Sequence, residues 1–135
     1  MWRRGACDML LIQYYRRSGG LFLQQSDAKL PLGRGYSGTG SGRNNPDLSG
    51  VRNVGPIPSG RWLMRADVAA SARFAKPVIG LEPLAGTATF GRSGFLVHGD
   101  NAAGDASRGC IVLSRGLRQV LSGLIAEGHD VLTVV

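Results

Sequence analysis

Apolar residues in this chain fall in short runs parted by stretches rich in Gly, Ser and Pro, and only near the C-terminus do they recur at helical spacing. Met9 to Tyr15 is apolar and aromatic enough for a first strand. Leu21 to Gln25 gives a second beyond the turn signal Ser18-Gly19-Gly20, so the chain opens as a hairpin. Further short strands are expected at Arg61 to Ala66, Val78 to Leu81, Thr87 to Phe90 and Gly94 to His98, and Ile111-Val112-Leu113 continues as strand or extended chain. Ser114 is placed to cap a helix by accepting a bond from an unpaired backbone N–H. Leu117, Val120, Leu121, Leu124 and Ile125 then form one apolar stripe at i, i+3, i+4, i+7 and i+8. Gly128 suits the helix stop, and Val131 to Val135 closes the chain as a buried strand. The reading is mainly β with one helix.

Gly33 to Gly60 is dense in Gly, Ser, Asn and Pro and reads as a long loop over one face; loops of this length are often functional. Within it Gly55-Pro56-Ile57-Pro58-Ser59-Gly60 is a rigid turn, because each Pro fixes its own φ and restricts the residue before it. No internal repeat is visible.

Length and composition fit one soluble globular domain over residues 1–135: hydrophobic residues make up 43% and charged residues 19%. Sixteen Lys and Arg against nine Asp and Glu give a formal charge of +7, and only Lys29 and Lys76 are lysines. An anionic partner is expected. Nucleic acid is one candidate, but the arginines are scattered, without a basic helix or stripe, so a carboxylate-rich bacterial envelope polymer serves equally well. Arg3 and Arg4 precede a short apolar run that Asp8 interrupts and Arg16 and Arg17 follow, so no signal peptide is expected. No stretch approaches the roughly 20 apolar residues of a membrane span. Cys7 and Cys110 are too sparse for a disulfide framework, and with two His in the chain neither a metal site nor another cofactor is expected.

Chemistry concentrates in Gly94-Phe95-Leu96-Val97-His98-Gly99-Asp100-Asn101 and, beyond a loop of small residues, Ser107-Arg108-Gly109-Cys110-Ile111. His98 stands at a strand end and Cys110 follows a flexible turn, so the chain can double back and bring imidazole and thiol together. An ordinary thiol has a pKa of about 8.5 and is only slightly ionised at neutral pH, so a nearby base is needed to form the attacking thiolate. His98 is the candidate base. Gly109 lets a substrate approach the backbone and leaves amides near Cys110 for a developing oxyanion. The bland alternative is a small buried Cys and a structural His.

In order, these residues resemble the YkuD-type L,D-transpeptidase signature: a His-Gly pair, a Gly-Cys element, an apolar strand, a helix and a final strand. More closely, the chain is similar to the L,D-transpeptidase effectors delivered by bacterial type VI secretion. The elements that carry the likeness are Gly35 to Gly38, Asn44 to Pro46, Gly55 to Gly60, His98 to Asn101 and Gly109 to Ile111, in that order over nearly the whole chain. Arg108 departs from the wider pattern, where a second histidine precedes the Gly-Cys pair, and the interval from His98 to Cys110 is shorter than usual there.

The resemblance implies a YkuD-like β-sandwich or mixed sheet with one helix from the C-terminal half packed on it. It implies attack by Cys110 on the bond between the L-centre of diaminopimelate and the terminal D-alanine of a peptidoglycan stem tetrapeptide. His98 acts as base and then acid, and the Gly99 carbonyl orients the imidazole. Ser107, Arg108 and Gly109 belong to the same oxyanion and substrate-binding set. Arg92 is a candidate either for a stem-peptide carboxylate or for a solvated surface arginine. Tyr36 and Ser37 either wall the pocket or anchor the packing, and Asp100 and Asn101 hold the turn after His98. The expected setting is synthesis in a bacterial cytoplasm without a signal peptide, delivery by a secretion machinery, action in the periplasm of a target cell, and a protective immunity protein in the producer. The rival from another class is a non-enzymatic basic module that binds nucleic acid or another anionic polymer.

Overall fold

The computed structural model describes residues 10–66 and 74–135. Met9, Cys7 with its pairing, and the Arg3 to Asp8 segment lie outside the described residues. Among the described residues nine strands form one mixed sheet: β1 (Leu10–Tyr15), β2 (Gly20–Gln25), β3 (Ala28–Arg34), β4 (Tyr36–Ser37), β5 (Gly60–Ala66), β6 (Ile79–Pro83), β7 (Leu96–His98), β8 (Ile111–Val112) and β9 (Val131–Val134). The helix α1 (Arg115–Ala126) sits between β8 and β9. Mainly β with one helix is therefore the fold class.

The strand order is β3-β2-β1-β9-β5-β6-β7-β8-β4. β3 and β4 lie at opposite ends of this order, yet only Gly35 separates them in the chain. The sheet must therefore curl until its two edges nearly meet. Gly35 makes the meeting feasible: its amide donates to the Gly19 carbonyl at 2.8 Å, and a Cβ at this position would overlap the Val112 carbonyl. The C-terminal β9 enters the middle, parallel to β1 and antiparallel to β5. That placement buries Leu132 and Val134 among Ile12, Tyr14, Trp62 and Met64.

Ser114 caps α1, its Oγ accepting the Leu117 amide at 3.3 Å. Leu117, Leu121, Leu124 and Ile125 pack on the sheet's inner face, but Val120 is 42% exposed. At about 100° per residue, the four packed positions lie within about 60° of Leu121, whereas Val120 lies about 100° away on the side that faces solvent. Arg118, about 60° away on the other side, is turned inward instead.

Two expectations are corrected, and one strand is added. Thr87 to Phe90 is no strand; Thr87 donates its amide to the Leu84 carbonyl at 3.0 Å, and Phe90 adopts φ +56°, which breaks extended pairing. Ala28–Arg34 is a strand, an edge one that accommodates Pro31, with a bulge opposite Leu21 and Phe22. The Gly33 to Gly60 loop contains β4 and two short 3-10 turns, Gly40–Gly42 and Pro46–Leu48.

Candidate active site

β7 and β8 run parallel, with Val97 opposite Ile111 and His98 opposite Val112. Val97 and Ile111 both enter the apolar core. Since successive side chains of a strand point to opposite faces, His98 and Cys110, one residue from each of these, project away from that core on neighbouring chains. They line the same open cleft of about 660 Å³, together with Phe74, Leu96 and Arg118. The two residues singled out in the sequence thus line one cleft.

Each side chain is held. The Cys110 Sγ accepts the Leu96 amide at 3.3 Å and donates to the Gly94 carbonyl at 3.7 Å. The His98 ring is 1% exposed and stacks on Phe74, with centroids 4.0 Å apart and an interplanar angle of 9°. Its Nδ1 lies 2.7 Å from the Gly99 carbonyl oxygen. A carbonyl can only accept, so Nδ1 carries the hydrogen and Nε2 is the basic nitrogen.

The loop before Cys110 is fixed from behind. Ser107 is buried; its Oγ accepts the amides of Gly38 at 2.8 Å and Gly109 at 3.1 Å and donates to the Cys110 carbonyl at 2.6 Å. The Gly109 amide is therefore engaged by Ser107 rather than offered to an oxyanion, which corrects the role expected of it. Gly109 instead supplies conformation and space: its φ is +127°, and a Cβ there would overlap the Arg92 guanidinium. Arg108 is exposed and lines the cleft.

Arg92 is 6% exposed, so it is not a solvated surface residue. Its guanidinium donates to the carbonyls of Ser49, Pro56 (2.8 Å), Gly55 (2.9 Å) and Arg108 (3.3 Å). It thereby ties the Gly-Pro-Ile-Pro turn to the Cys110 loop. Burial pulls Arg92 below its usual range while the Cys110 sulfur acts in the opposite direction, so the two groups lie within electrostatic reach. Both also line a second cleft, of about 460 Å³, that shares Gly94, Arg108 and Cys110 with the first.

Tyr36 and Ser37 anchor the packing and do not line the Cys110 cleft, although Tyr36 borders a neighbouring cavity. The Tyr36 hydroxyl donates to Asp100 Oδ1 at 2.6 Å and accepts the Ala106 amide at 2.9 Å. The Ser37 Oγ donates to the Gly109 carbonyl and accepts the Ile57 amide, both at 2.9 Å, and the Ser37 amide donates to Asn44 Oδ1 at 3.2 Å. The five sequence elements thus converge on Tyr36 and Ser37 as one hydrogen-bonded frame. Asp100 Oδ1 also accepts the Asn101 amide at 2.8 Å, and the Asn101 Nδ2 donates to Asp105 Oδ1 at 2.8 Å, which holds the turn after His98.

Arg118 was not foreseen. It is 5% exposed, with Nε donating to the Leu113 carbonyl at 3.1 Å and NH1 to those of Ala75 and Pro77 at 2.8 Å each. Its one trace in the sequence is an arginine inside the arc of packed helix positions. Phe74, stacked on His98, left no such trace. Among the described residues no three His, Cys, Asp or Glu side chains are grouped to hold a metal, and no helix is long and apolar enough to cross a membrane.

Fold and site together define a mainly-β protein whose curled sheet sets a cysteine thiol and an oriented imidazole in one cleft. A family model, the Tlde1 domain, matches residues 33–131, which include the whole frame and both of these side chains. The chain belongs to the Tlde1 domain family, a family of type VI secretion effectors. No curated protein and no solved structure matches it.

Proposed function

We propose that this effector is a cysteine-dependent L,D-transpeptidase or L,D-carboxypeptidase that acts on peptidoglycan stem tetrapeptides in the periplasm of a target cell. One observation carries the reading: Cys110 and His98 share the wall of an open cleft, and the Gly99 carbonyl fixes the imidazole with Nε2 as its basic nitrogen. Effector-family membership fits a cell-wall target, since such proteins are delivered into competing cells and an immunity protein guards the producer.

In the proposed reaction, His98 Nε2 takes the proton of Cys110 Sγ, and the thiolate attacks the carbonyl carbon that joins the L-centre of diaminopimelate to D-alanine. Arg92, a cation within electrostatic reach, favours the thiolate. The tetrahedral adduct collapses with cleavage of the C–N bond, the imidazolium returns its proton to the departing amine, and a thioester remains on Cys110. Water then yields the shortened peptide, whereas the amine of a D-amino acid yields an exchanged one. Cys110 borders two clefts, and in this reading one holds the stem while the other admits the acceptor.

The test is mass spectrometry of tetrapeptide muropeptides incubated with the protein, with and without added D-methionine. Tripeptide products, or products carrying D-methionine, are expected from the wild type and not from Cys110→Ala. Muropeptides left unchanged by folded wild-type protein would overturn the proposal.

A further inference from the structure

Beside the cleft, between the end of β3, β4 and the start of α1, lies a third cavity, of about 430 Å³. Arg34, Arg43, Arg115 and Arg118 line it, and among the described residues Asp100 is the one acidic residue in its lining. Asp100 Oδ1 is already engaged by the Tyr36 hydroxyl and the Asn101 amide, and among the described residues none of the four arginines is in an ion pair.

Two of the four are fixed in advance. Arg43 lies over the Tyr36 ring, 3.7 Å from its centroid, and donates to the Gly104 carbonyl at 2.8 Å; Arg118 is tied to three carbonyls. Arg118 is held below its usual range first by burial and then by the charge of Arg115. The first turn of α1 has no acidic residue, although the positive end of the helix dipole favours one there, and Arg115 occupies the first helical position instead. A cavity with this much positive charge and so little within the protein to balance it is built for an anion.

We infer that this cavity is a carboxylate-binding subsite, holding an acidic group of the same stem peptide whose scissile carbonyl reaches Cys110. Naming that peptide rests on the function proposed above; the anion site itself rests on the arginines. Continuity favours one molecule over a separate small ion, because Asp100 and Arg118 line both this cavity and the Cys110 cleft. A stem tetrapeptide carries carboxylates besides the end that is cleaved, and paired guanidiniums suit them.

The test uses Arg34→Gln/Arg115→Gln, with Arg115→Gln alone as a milder variant. Both residues are exposed and lie outside the proposed chemistry, so unchanged thermal melting is expected. Two substrates are compared: a tetrapeptide muropeptide with its free side carboxylates, and the same molecule with those groups amidated. On the free form the double variant should raise KM by about tenfold or more and leave kcat within about twofold, as expected for lost charge-assisted hydrogen bonds that hold substrate and transition state alike. On the amidated form wild type and variant should have the same KM. Equal KM for both proteins on the free form, with wild-type turnover intact, overturns the subsite and leaves the enzymatic reading standing.

If folded wild type turns over neither substrate, the enzymatic reading fails, and binding alone decides the subsite. The amide resonances of Arg115 and Gly116 in Cys110→Ala protein should then shift saturably with the free tetrapeptide and not with its amidated form. Shifts with neither peptide, or with inorganic phosphate alone, overturn the carboxylate assignment.

Discussion

The Ser107 hydroxyl donates to the carbonyl of Cys110 at 2.6 Å while it accepts the amides of Gly38 and Gly109. One buried oxygen thus sets the backbone on which the thiol stands. Ser107→Ala would leave these groups without their partner, and each buried polar group so stranded costs about 1–3 kcal/mol. Urea unfolding should show a loss of about 3 kcal/mol or more. Any activity should fall further than the unfolded fraction explains, because the Cys110 loop loses its support.

Arg92 joins four backbone carbonyls from three segments of chain. Arg92→Met keeps the apolar stem and strands the carbonyls, for an expected loss of about 3 kcal/mol in chemical denaturation. Arg92→Lys should recover little of it, since an ammonium is a point donor and cannot span the carbonyls that a planar guanidinium bridges. Stability equal to wild type in Arg92→Met would show that the guanidinium does not hold the loops together.

Two buried tyrosines should respond oppositely to loss of their hydroxyls. Burial, and after it the hydrogen bond to Asp100, pushes Tyr36 up to about 12; Tyr14 is raised by burial as well. Both folded values exceed the ordinary 10.0, so the stability linked to the neutral phenols is complete below pH 10 and is lost as pH climbs through the folded values. Tyr36→Phe should cost about 1–2 kcal/mol at neutral pH, because Asp100 and the Ala106 amide lose their partner. Among the described residues the buried Tyr14 hydroxyl has no hydrogen-bond partner, so Tyr14→Phe should be neutral or stabilising by up to about 1 kcal/mol. Both variants should flatten the alkaline limb of a pH–stability curve.

What could be read from the sequence followed from local signals. The Ser114 cap, the helical stripe and the apolar runs of β1, β2, β5, β6 and β9 each declare themselves within a few residues. β3 did not, since an edge strand needs little apolar surface and tolerates Pro31. β4 is two residues inside a glycine-rich loop, and its pairing with β8 exists only because the sheet curls. The partners of Arg92 and Arg118 were illegible for a related reason: the carbonyls at Gly55 and Ala75 that they bind come from segments far along the chain, and no local pattern announces such a partner. That His98 and Cys110 line one cleft follows from the short parallel ladder of β7 on β8, which sets the end of one strand beside the start of the other.

The most direct measurement is the rate of D-alanine release from purified tetrapeptide muropeptides by wild type, Cys110→Ala and His98→Ala, each with folding verified by circular dichroism. The wild type should release D-alanine, Cys110→Ala should release none, and His98→Ala should be slower by about 10²-fold or more. Release by Cys110→Ala at the wild-type rate, or none by folded wild type, would contradict a reaction through the Cys110 thiolate.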